Sequence, residues 1–561
     1  MNKRMILTIC ILASLGINAQ KTSTGDGDWS AAATWSPSGI PTASDDVTIA
    51  SGHLVKIKVA GAVAKSITAT GKLQINAEKS LEVAGDVTTD YITNILFVVT
   101  TGQNMGTLIF GGVFSGGNIS AKMRLPTNNN WHLISSPFKV ATIEEYINGS
   151  TTIVTNAGKY SLATYNDANT SGSKYTYYES PLVLESTRRK FEKGQGYSTK
   201  LNNTGDPTKP DVQFKGKLND IDVTYTISDG GSGFNLVGNP FPAYLYGNEN
   251  SVDVTNNILT GNTGVLEEPT LWFWDNTAGG GDWVTKNQSD GGFNIAPLQG
   301  FFVKAKTGGG GFKYTEAMQT HTKTNGFYRT SNSRFEIDLS IANNDTRRKT
   351  SIRYIENKTT SFDNGYDSSL FSGLGNSFAV YTELVDNNTG KKLAIQSLPN
   401  ANFEEMVIPV GVNASAGSEI TFTADVINVP TGYKVYLEDR INNTLTRLDE
   451  TNAAYKTTVS ETITTGRFYL HARTSSVLNA DTEILNSVSI YKTSNSNLKI
   501  TGLQKGKTIV SLYNILGKQV LRTSFEGSNV NDISLPKLAT GIYIVKLQAE
   551  IGELNKKIIL E

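Results

Sequence analysis

The segment Leu538–Leu560 reads LATGIYIVKLQAEIGELNKKIIL, and its alternating apolar residues decide how this part of the chain folds. In IYIVKL, the side chains of Tyr543, Val545 and Leu547 share one face of an extended strand, because successive side chains on a strand point to opposite faces. A polar turn follows, and then a second apolar run, KKIIL. The pattern predicts a two-stranded hairpin.

The same alternation continues upstream, so the hairpin is part of a larger β-domain. In VSLYNILGKQV, Val510 and Leu512 share one face, and Gly517 then turns the chain into another strand. We infer that Gly541 also occupies a turn that needs a positive φ. The pattern predicts a small immunoglobulin-like β-sandwich over residues 485–561. Its marker residues are Tyr513, Gly517, Gly541, Tyr543 and Lys557.

The motifs VSLYNILGKQV, LATGIYIVKL and KKIIL, in this order, resemble the type A C-terminal sorting domain of the type IX secretion system. The first strand of that family usually leads into Pro-Asn-Pro, which is missing from SIYKTSNSNLKI. The resemblance implies Sec export and then passage through the outer membrane by the type IX machinery. It also implies that the sorting domain is removed and that the remainder is anchored to surface lipopolysaccharide or released. We therefore expect a secreted protein or one on the outer surface of a Gram-negative bacterium.

The first residues, MNKRMILTICILASLGINAQK, have the pattern of a signal peptide. A basic start is followed by an apolar run of about 13 residues, which is shorter than a membrane-spanning helix. Ala19 ends a plausible cleavage site, so we predict a signal peptide over residues 1–19 and a mature chain that begins at Gln20. The only cysteine, Cys10, lies inside this segment, and the mature chain would therefore form no disulfide.

Length and charge limit the class of protein further. A chain of 561 residues is too long for one hydrophobic core. Its 51 basic and 51 acidic residues balance, so there is no overall basic charge to attract nucleic acid. No other segment is long and apolar enough to span a membrane as a helix. Abundant Gly (53 residues) and scarce helix-forming runs favour many short strands joined by turns.

Short alternating runs follow the signal peptide. Trp29 and Trp35 lie among Gly, Pro and Asp, and HLVKIKV, KSITATGKLQI and KSLEVAGDV come next. Successive strand-length pieces of this kind predict a short β-helix-like region over residues 20–125, capped by the tryptophans. An antiparallel meander is the alternative.

An internal duplication follows. NNWHLISSPF (Asn129–Phe138) recurs as SGFNLVGNPF (Ser232–Phe241), and GQGYSTK from Gly194 recurs as LQGFFVK from Leu298. Two motifs that return at nearly the same offset, about 100 residues, indicate two copies of one unit. We place the β repeat units at residues 126–225 and 226–325.

Eight alternating runs, from RFEIDLSI to GRFYLHA, predict a β-sandwich over residues 326–475, which could be a jelly roll. The whole chain is thus predicted to be an all-β, multidomain protein: a short β-helix-like region, duplicated β units, a β-sandwich and the C-terminal sorting domain.

Sequence motifs for catalysis are missing. The four histidines are far apart with no HExxH, no GxSxG is present, and the mature chain has no thiol. We therefore predict no catalytic residue, no metal site and no cofactor, and favour a non-catalytic protein with an adhesive or structural role. The alternative is a glycan-binding protein, or a polysaccharide hydrolase whose carboxylates come together only in the fold.

One aromatic cluster suggests a binding surface. LWFWDNTAGGGDW places Trp272 and Trp274 on one strand face and Trp283 beyond a glycine-rich loop. Aromatic faces can stack on sugar rings, although large aromatics are more often buried, and both could instead be core residues of the second repeat. Acidic turns such as SFDNGYDSS could hold calcium, although no full calcium-loop pattern is present.

Overall fold

The computed structural model describes residues 20–90, 95–97, 105–123, 125, 130–150, 153–169, 172–180, 182, 190–201, 212–276, 281–323, 334–344, 346–460, 463–474, 488–493, 497–503, 505–549 and 552–560. They form an all-β, multidomain protein, as predicted. The chain divides into two compact units, Met1–Glu267 with Gly292–Tyr328 and Glu268–Gly291 with Arg329–Glu561. The signal peptide predicted at residues 1–19 lies outside the described residues, and the domain bounds set out above remain predictions.

Short strands form the front of the first unit. They are β1 (Gln20–Ser23), β2 (Gly27–Asp28), β3 (Trp35–Ser36), β4 (Asp46–Ile49), β5 (Leu54–Ile57), β6 (Ala62–Ala64), β7 (Ser66–Ala69), β8 (Lys72–Ile75), β9 (Ser80–Val83), β10 (Val87–Thr89), β11 (Ile95–Phe97), β12 (Thr107–Phe110), β13 (Phe114–Ser115) and β14 (Ile119–Met123). Three sheets take every third strand: β1-β4-β7-β10-β13, β2-β5-β8-β11-β14 and β6-β9-β12. Pairing along each sheet is parallel. The region is therefore a three-sided coil of strands and not an antiparallel meander.

The inside of the coil is filled by residues stacked in register. Val47 pairs with Ile67, and Ile67 with Val87, and all three side chains are at most 1% exposed. Trp29 and Trp35 pack edge to face beside the first strands, with ring centroids 5.1 Å apart. Because alternate residues face inward, each added turn of the coil extends one continuous apolar core.

The rest of the first unit, together with one hairpin of the second, follows. The elements are β15 (Trp131–Ser135), β16 (Phe138–Lys139), α1 (Ile143–Gly149), β17 (Thr155–Asn156), β18 (Lys159–Tyr165), β19 (Tyr175–Glu179), β20 (Gly196–Lys200), β21 (Val212–Leu218), β22 (Val223–Ile227), β23 (Phe234–Gly238), β24 (Tyr244–Tyr246), α2 (Ile258–Gly261), β25 (Thr270–Asp275), β26 (Asp282–Asn287), β27 (Asn294–Ile295), β28 (Gly300–Lys304), β29 (Gly310–Tyr314) and β30 (Gln319–Thr320). Short 3-10 turns lie at Ala32–Thr34, Glu316–Met318 and Phe403–Glu405. Helix α1 begins at an N-cap, Thr142, whose Oγ1 accepts the N–H of Glu145 (3.1 Å) and donates to the carboxylate of the same residue (3.0 Å).

The two sequence copies form strand pairs with the same register. Strand β15 pairs with β20 so that Ser135 lies opposite Gly196. Strand β23 pairs with β28 so that Gly238 lies opposite Gly300. These are corresponding positions of the two motifs, so the motifs pair in the same register in both places.

The two strand pairs also contact each other reciprocally. Ser135 donates its N–H to the carbonyl of Leu298 (2.9 Å), and Gly238 donates its N–H to the carbonyl of Gly194 (3.0 Å). Ser135 and Gly238 are corresponding positions of the two copies, and so are Gly194 and Leu298. The two hydrogen bonds are therefore related by a local two-fold symmetry.

Close backbone approach at this crossing explains one glycine in each copy. A Cβ at Gly196 would lie 2.4 Å from the carbonyl oxygen of Val237, and a Cβ at Gly300 would lie 2.9 Å from that of Ile134. No real Cβ tolerates such distances, so both positions require glycine.

In the second unit, one large sheet surrounds a single core. Its strands are β31 (Glu336–Ala342), β32 (Arg347–Ile355), β33 (Ser368–Ser369), β34 (Ala379–Thr382), β35 (Leu393–Pro399), β36 (Ile408–Asn413), β37 (Glu419–Ile427), β38 (Tyr433–Asp439), β39 (Thr444–Arg447), β40 (Tyr455–Thr458) and β41 (Ile463–Thr474). They connect in the order β39-β38-β41-β36-β34-β35-β32-β31-β37-β40, with β33 on β35. Ile337, Ile420 and Phe468, from distant strands, share one buried cluster. The predicted pair of sheets is thus one continuous sheet that curls over its own core.

The last region has two small sheets around its own core. Its strands are β42 (Ser489–Lys492), β43 (Asn497–Thr501), β44 (Gly506–Asn514), β45 (Gln519–Gly527), β46 (Val530–Ser534), β47 (Gly541–Ala549) and β48 (Gly552–Leu560). The sheets are β42-β43-β46 and β45-β44-β47-β48. In the terminal hairpin, Tyr543, Val545 and Leu547 are buried, whereas Ile542 and Ile544 are exposed. The faces are those that the alternation predicts. Among the described residues, no helix combines the length and apolarity needed to cross a bilayer.

Candidate functional site

Trp272, the first of the three predicted binding residues, is a core residue of the second unit. Its side chain is fully buried. The indole N–H donates to the carbonyl of Ser369 (3.1 Å), and the ring packs 6.2 Å from that of Phe371. Trp272 therefore anchors the hairpin β25–β26 against the large sheet and offers no face to a ligand. The alternative expectation placed Trp272 in the core of the second repeat. The side chain is buried, but the residues that it contacts, Ser369 and Phe371, belong to the second unit.

Trp274 and Trp283, the other two predicted residues, form a half-exposed aromatic pair. They lie directly opposite each other in the hairpin, and their ring centroids are 5.0 Å apart. Trp283 also packs 4.0 Å from the ring of Phe371. The pair therefore continues the buried aromatic row outward to the surface. Two adjoining rings of this kind can stack on a flat apolar face such as that of a sugar. We name Trp274 and Trp283 the aromatic pair.

Two carboxylates lie on the opposite face of the same hairpin. Asp275 is paired with Asp282 across the strands, and Arg348 Nε lies 3.5 Å from Asp282 Oδ1. Burial raises the pKa of Asp282 to about 6, with a further contribution from Asp275, while Arg348 acts in the opposite direction. The hairpin therefore has, on the face opposite the aromatic pair, a carboxyl group whose pKa lies in a mildly acidic range.

This titration predicts that the stability of the second unit depends on pH. The folded pKa of Asp282 is raised, so its contribution is complete below its ordinary pKa of 3.8 and is lost as the pH rises through about 6. We expect the wild-type chain to lose up to about 3 kcal/mol of unfolding free energy, relative to Asp282→Asn, over this range. Urea unfolding of both chains at several pH values measures the difference. A difference that does not change with pH would contradict the assignment.

The other end of the hairpin is held by a buried ion pair. Arg353 Nη2 donates to Asp290 Oδ1 (3.0 Å), and Lys286 Nζ lies 2.9 Å from the same oxygen. Burial alone would raise the pKa of Asp290, but the charges of Arg353 and Lys286 hold it below its ordinary value. Sequence reasoning missed this cluster because five strands, β27 to β31, lie between Asp290 and the strand that contains Arg353, so no local motif marks it.

The acidic turn that suggested calcium uses its carboxylates internally. Asp367 accepts the N–H of Ser397 (2.5 Å) and the N–H of Asp363 (2.7 Å). Burial raises the pKa of Asp367 to about 7, although these hydrogen bonds oppose the shift. Across the described ranges, no three His, Cys, Asp or Glu side chains are grouped so that they could hold a metal ion.

The marker residues of the last region have distinct structural roles. Tyr513 donates its hydroxyl to Gln519 (3.1 Å), and Tyr543 donates to the carbonyl of Ala539 (2.8 Å). Lys557 is exposed beside Ile544, with which it pairs.

The two glycines among these markers differ. Gly517 has a φ of +77° in the turn between β44 and β45, as predicted. Gly541 has the positive φ inferred for it, +156°, but it is the first residue of β47, where it pairs with Leu560, and does not lie within a turn. The inferred turn ends earlier because the strand already begins at this glycine.

Of the two residues at the predicted cleavage site, the structure describes only Gln20. Gln20 begins β1 and pairs with Asp46, whereas Ala19 lies outside the described residues. The cleavage between them therefore remains a prediction.

Two family models match different parts of the chain. Residues 492–561 match the model described as "Secretion system C-terminal sorting domain". The protein therefore carries a type IX sorting domain, which directs export to the cell surface or beyond it. Residues 21–471 match the model described as "Domain of unknown function (DUF8693)", and the chain belongs to this family.

Other comparisons add little. A solved structure titled "Biofilm associated protein - BSP domain" aligns at 8% identity over 78% of this chain and 91% of that chain, with a TM-score of 0.17. A TM-score this low supports no argument about fold or function. None of the curated proteins matches the chain.

Proposed function

We propose that this protein acts outside the cell as a non-catalytic, modular β-protein with an adhesive or structural role. The observation that carries the proposal is the sorting domain at residues 492–561, which gives the β-units before it a destination on or beyond the outer membrane. On this proposal the secretion machinery is the first partner. Attachment to surface lipopolysaccharide, or release, follows once the sorting domain is removed.

A glycan is the second candidate partner, and the aromatic pair favours it. Trp274 and Trp283 lie side by side and are half-exposed. The ring of Phe371 packs 4.0 Å from that of Trp283, and Trp283 in turn supports Trp274. A rigid aromatic surface loses little entropy when a sugar ring stacks on it, which is a common basis for recognition of flat apolar faces.

Attachment assays test both proposals together. A strain that lacks the protein should attach less to surfaces or to other cells than its parent, and the full chain should restore attachment. If the aromatic pair binds a glycan, Trp274→Ala with Trp283→Ala should fail to restore it and should weaken glycan-array binding at least about tenfold.

The matched control is Trp131→Ala, because Trp131 is another half-buried tryptophan, in the first unit, where it packs 5.8 Å from Tyr177. This variant should restore attachment fully. Restoration by the double variant would remove the glycan proposal and leave the adhesive one. Equal attachment with and without the protein would contradict adhesion.

A further inference from the structure

Three chemically complementary side chains lie on neighbouring strands of the large sheet. Asn413 is the last residue of β36, Lys392 directly precedes β35, and Glu383 directly follows β34. Strand β34 lies between the other two: it pairs with β36 at Ala379–Asn413 and with β35 at Thr382–Leu393. The pairing of these three strands thus brings an amine, an amide and a carboxylic acid to one part of the sheet.

The amine of Lys392 contacts the amide of Asn413. Lys392 Nζ lies 3.3 Å from Asn413 Oδ1, and the amide carbon is bonded directly to that oxygen. The Asn413 side chain is only 9% exposed, and its Nδ2 donates to the carbonyl of Asn376 (3.0 Å). The amide is therefore held in one orientation beside the amine, which donates to its oxygen, and attack on the adjoining carbon requires Nζ to move from Oδ1 towards Cγ.

The surroundings make the amine a better nucleophile. Lys392 Nζ lies 4.5 Å from the ring centroid of Tyr381, which is fully buried. Within the described part of the chain, no carboxylate forms an ion pair with Lys392. Burial lowers the pKa of Lys392, and the charge of Glu383 offsets part of this shift. A lysine that loses its proton more easily is a stronger nucleophile.

Glu383 is a half-buried acid that directly follows β34, the strand between β35 and β36, and its charge acts on Lys392. Burial raises its pKa, while the hydrogen bond from Asn388 Nδ2 (2.8 Å) and the charge of Lys392 lower it. Burial thus favours the uncharged form of both Glu383 and Lys392. A neutral carboxylic acid can give a proton to a departing group and take one from the attacking nitrogen.

We propose that Lys392 and Asn413 become joined by an intramolecular isopeptide bond, with Glu383 as the proton carrier. Lys392 Nζ attacks Asn413 Cγ and forms the new C–N bond, and the bond from Cγ to Nδ2 breaks. Nδ2 leaves as ammonia, with the proton that Lys392 loses passed to it by Glu383. No oxidant, metal or cofactor is consumed. The product is an amide between the two side chains, which links β35 covalently to β36.

Peptide mapping of the full-length protein tests the bond. Digestion should yield one branched peptide that contains Lys392 and Asn413 and is lighter than the sum of its two parts by one ammonia, with no loss of water. Peptides are needed because an N-terminal Gln20 would also lose ammonia on cyclising and would confuse the intact mass. Finding the two peptides separate and unmodified in folded protein would overturn the proposal.

Variants assign the roles. Lys392→Arg should leave Asn413 unmodified, and Asn413→Asp should form the same bond with loss of water. Glu383→Gln should stop bond formation while the melting temperature stays at that of Lys392→Arg. A bond formed in Glu383→Gln would overturn the role given to Glu383. The matched control is Lys391→Arg, since Lys391 pairs with Glu268 (2.7 Å) and should not be needed.

The bond should also raise the melting temperature of the second unit. It closes a loop between residues that are 21 apart, so its loss in Lys392→Arg should lower the melting temperature of the second unit by about 5 °C or more. Lys391→Arg controls for the general effect of a Lys-to-Arg change. Equal melting temperatures together with a proven bond would be explained only by strain in the folded state, and the mapping result alone decides whether the bond exists.

Discussion

Deleting residues 485–561 should abolish display of the protein on the cell surface and leave the remainder inside the cell envelope. Display should be lost because the sorting domain is gone. The remainder should stay folded because the sorting domain has a core of its own: every residue of its buried cluster, from Val488 to Leu560, comes from this region. Its removal therefore takes no apolar residue from the curled sheet. The contacts between the sorting domain and the curled sheet include the hydrogen bond from Arg440 Nη1 to Ser489 Oγ (2.8 Å). Antibody labelling and protease accessibility of intact cells measure display.

A reporter fusion and a point variant test the sorting role further. Residues 485–561 fused to a periplasmic reporter should carry it outside when the secretion system is intact. Gly517→Val should reduce export, because the φ of +77° in its turn suits glycine and not a β-branched residue. Gly390→Val is the matched control, since Gly390 has a φ of +79° in a turn of the large sheet. Surface display of the truncated chain at the parental level would refute the sorting role.

Asp290→Asn should lower the free energy of unfolding of the second unit by about 3–5 kcal/mol. The Asp290 and Arg353 side chains are 5% and 10% exposed, and the variant leaves the buried guanidinium without its counter-charge. Within the described residues, Arg353 Nε already lacks a hydrogen-bond partner. Chemical denaturation of the full chain measures the loss, and hydrogen exchange of β26 should show the hairpin opening first.

Two further variants separate charge from packing in that cluster. Asp290→Asn combined with Arg353→Met removes the buried pair and should recover part of the lost stability, because the cation that remains, Lys286, is 23% exposed and can reach solvent. Arg347→Met removes a partner from an exposed pair, 3.7 Å from Asp425, whose side chains are 57% and 63% exposed. It should change stability little. If Asp290→Asn is as mild as Arg347→Met, the ion pair does not hold the hairpin.

Local alternation predicted the strands well because it is a property of neighbouring residues. The faces of β47, with Tyr543 inward and Ile544 outward, follow directly from the letters. The sorting domain was recognisable because its motifs are short and ordered. These parts needed no knowledge of distant contacts.

Long-range packing set the limit of prediction. Trp272 was predicted either to bind ligand or to fill the second repeat, but its partner Ser369 is 97 residues away. The joining of the predicted sandwich into one sheet depends on pairings such as β32 with β35, which are parallel and separated by other strands. Lys392 and Asn413 carry no motif either. Their proximity exists only because β34 lies between their strands.

The division of the chain also has a consequence for the order in which the protein can fold. The hairpin Glu268–Gly291 belongs to the second unit, but Gly292–Tyr328 returns to the first. A chain that emerges amino end first therefore delivers a piece of the second unit before the first unit is complete, and the hairpin must wait for the strands from β31 onward. The two units are interleaved, so no single cut of the chain can separate them. While the hairpin waits, Trp272 lacks the partners that bury it in the folded protein, Ser369 and Phe371, and this is the interval in which the emerging chain is most exposed to aggregation or to capture by a chaperone.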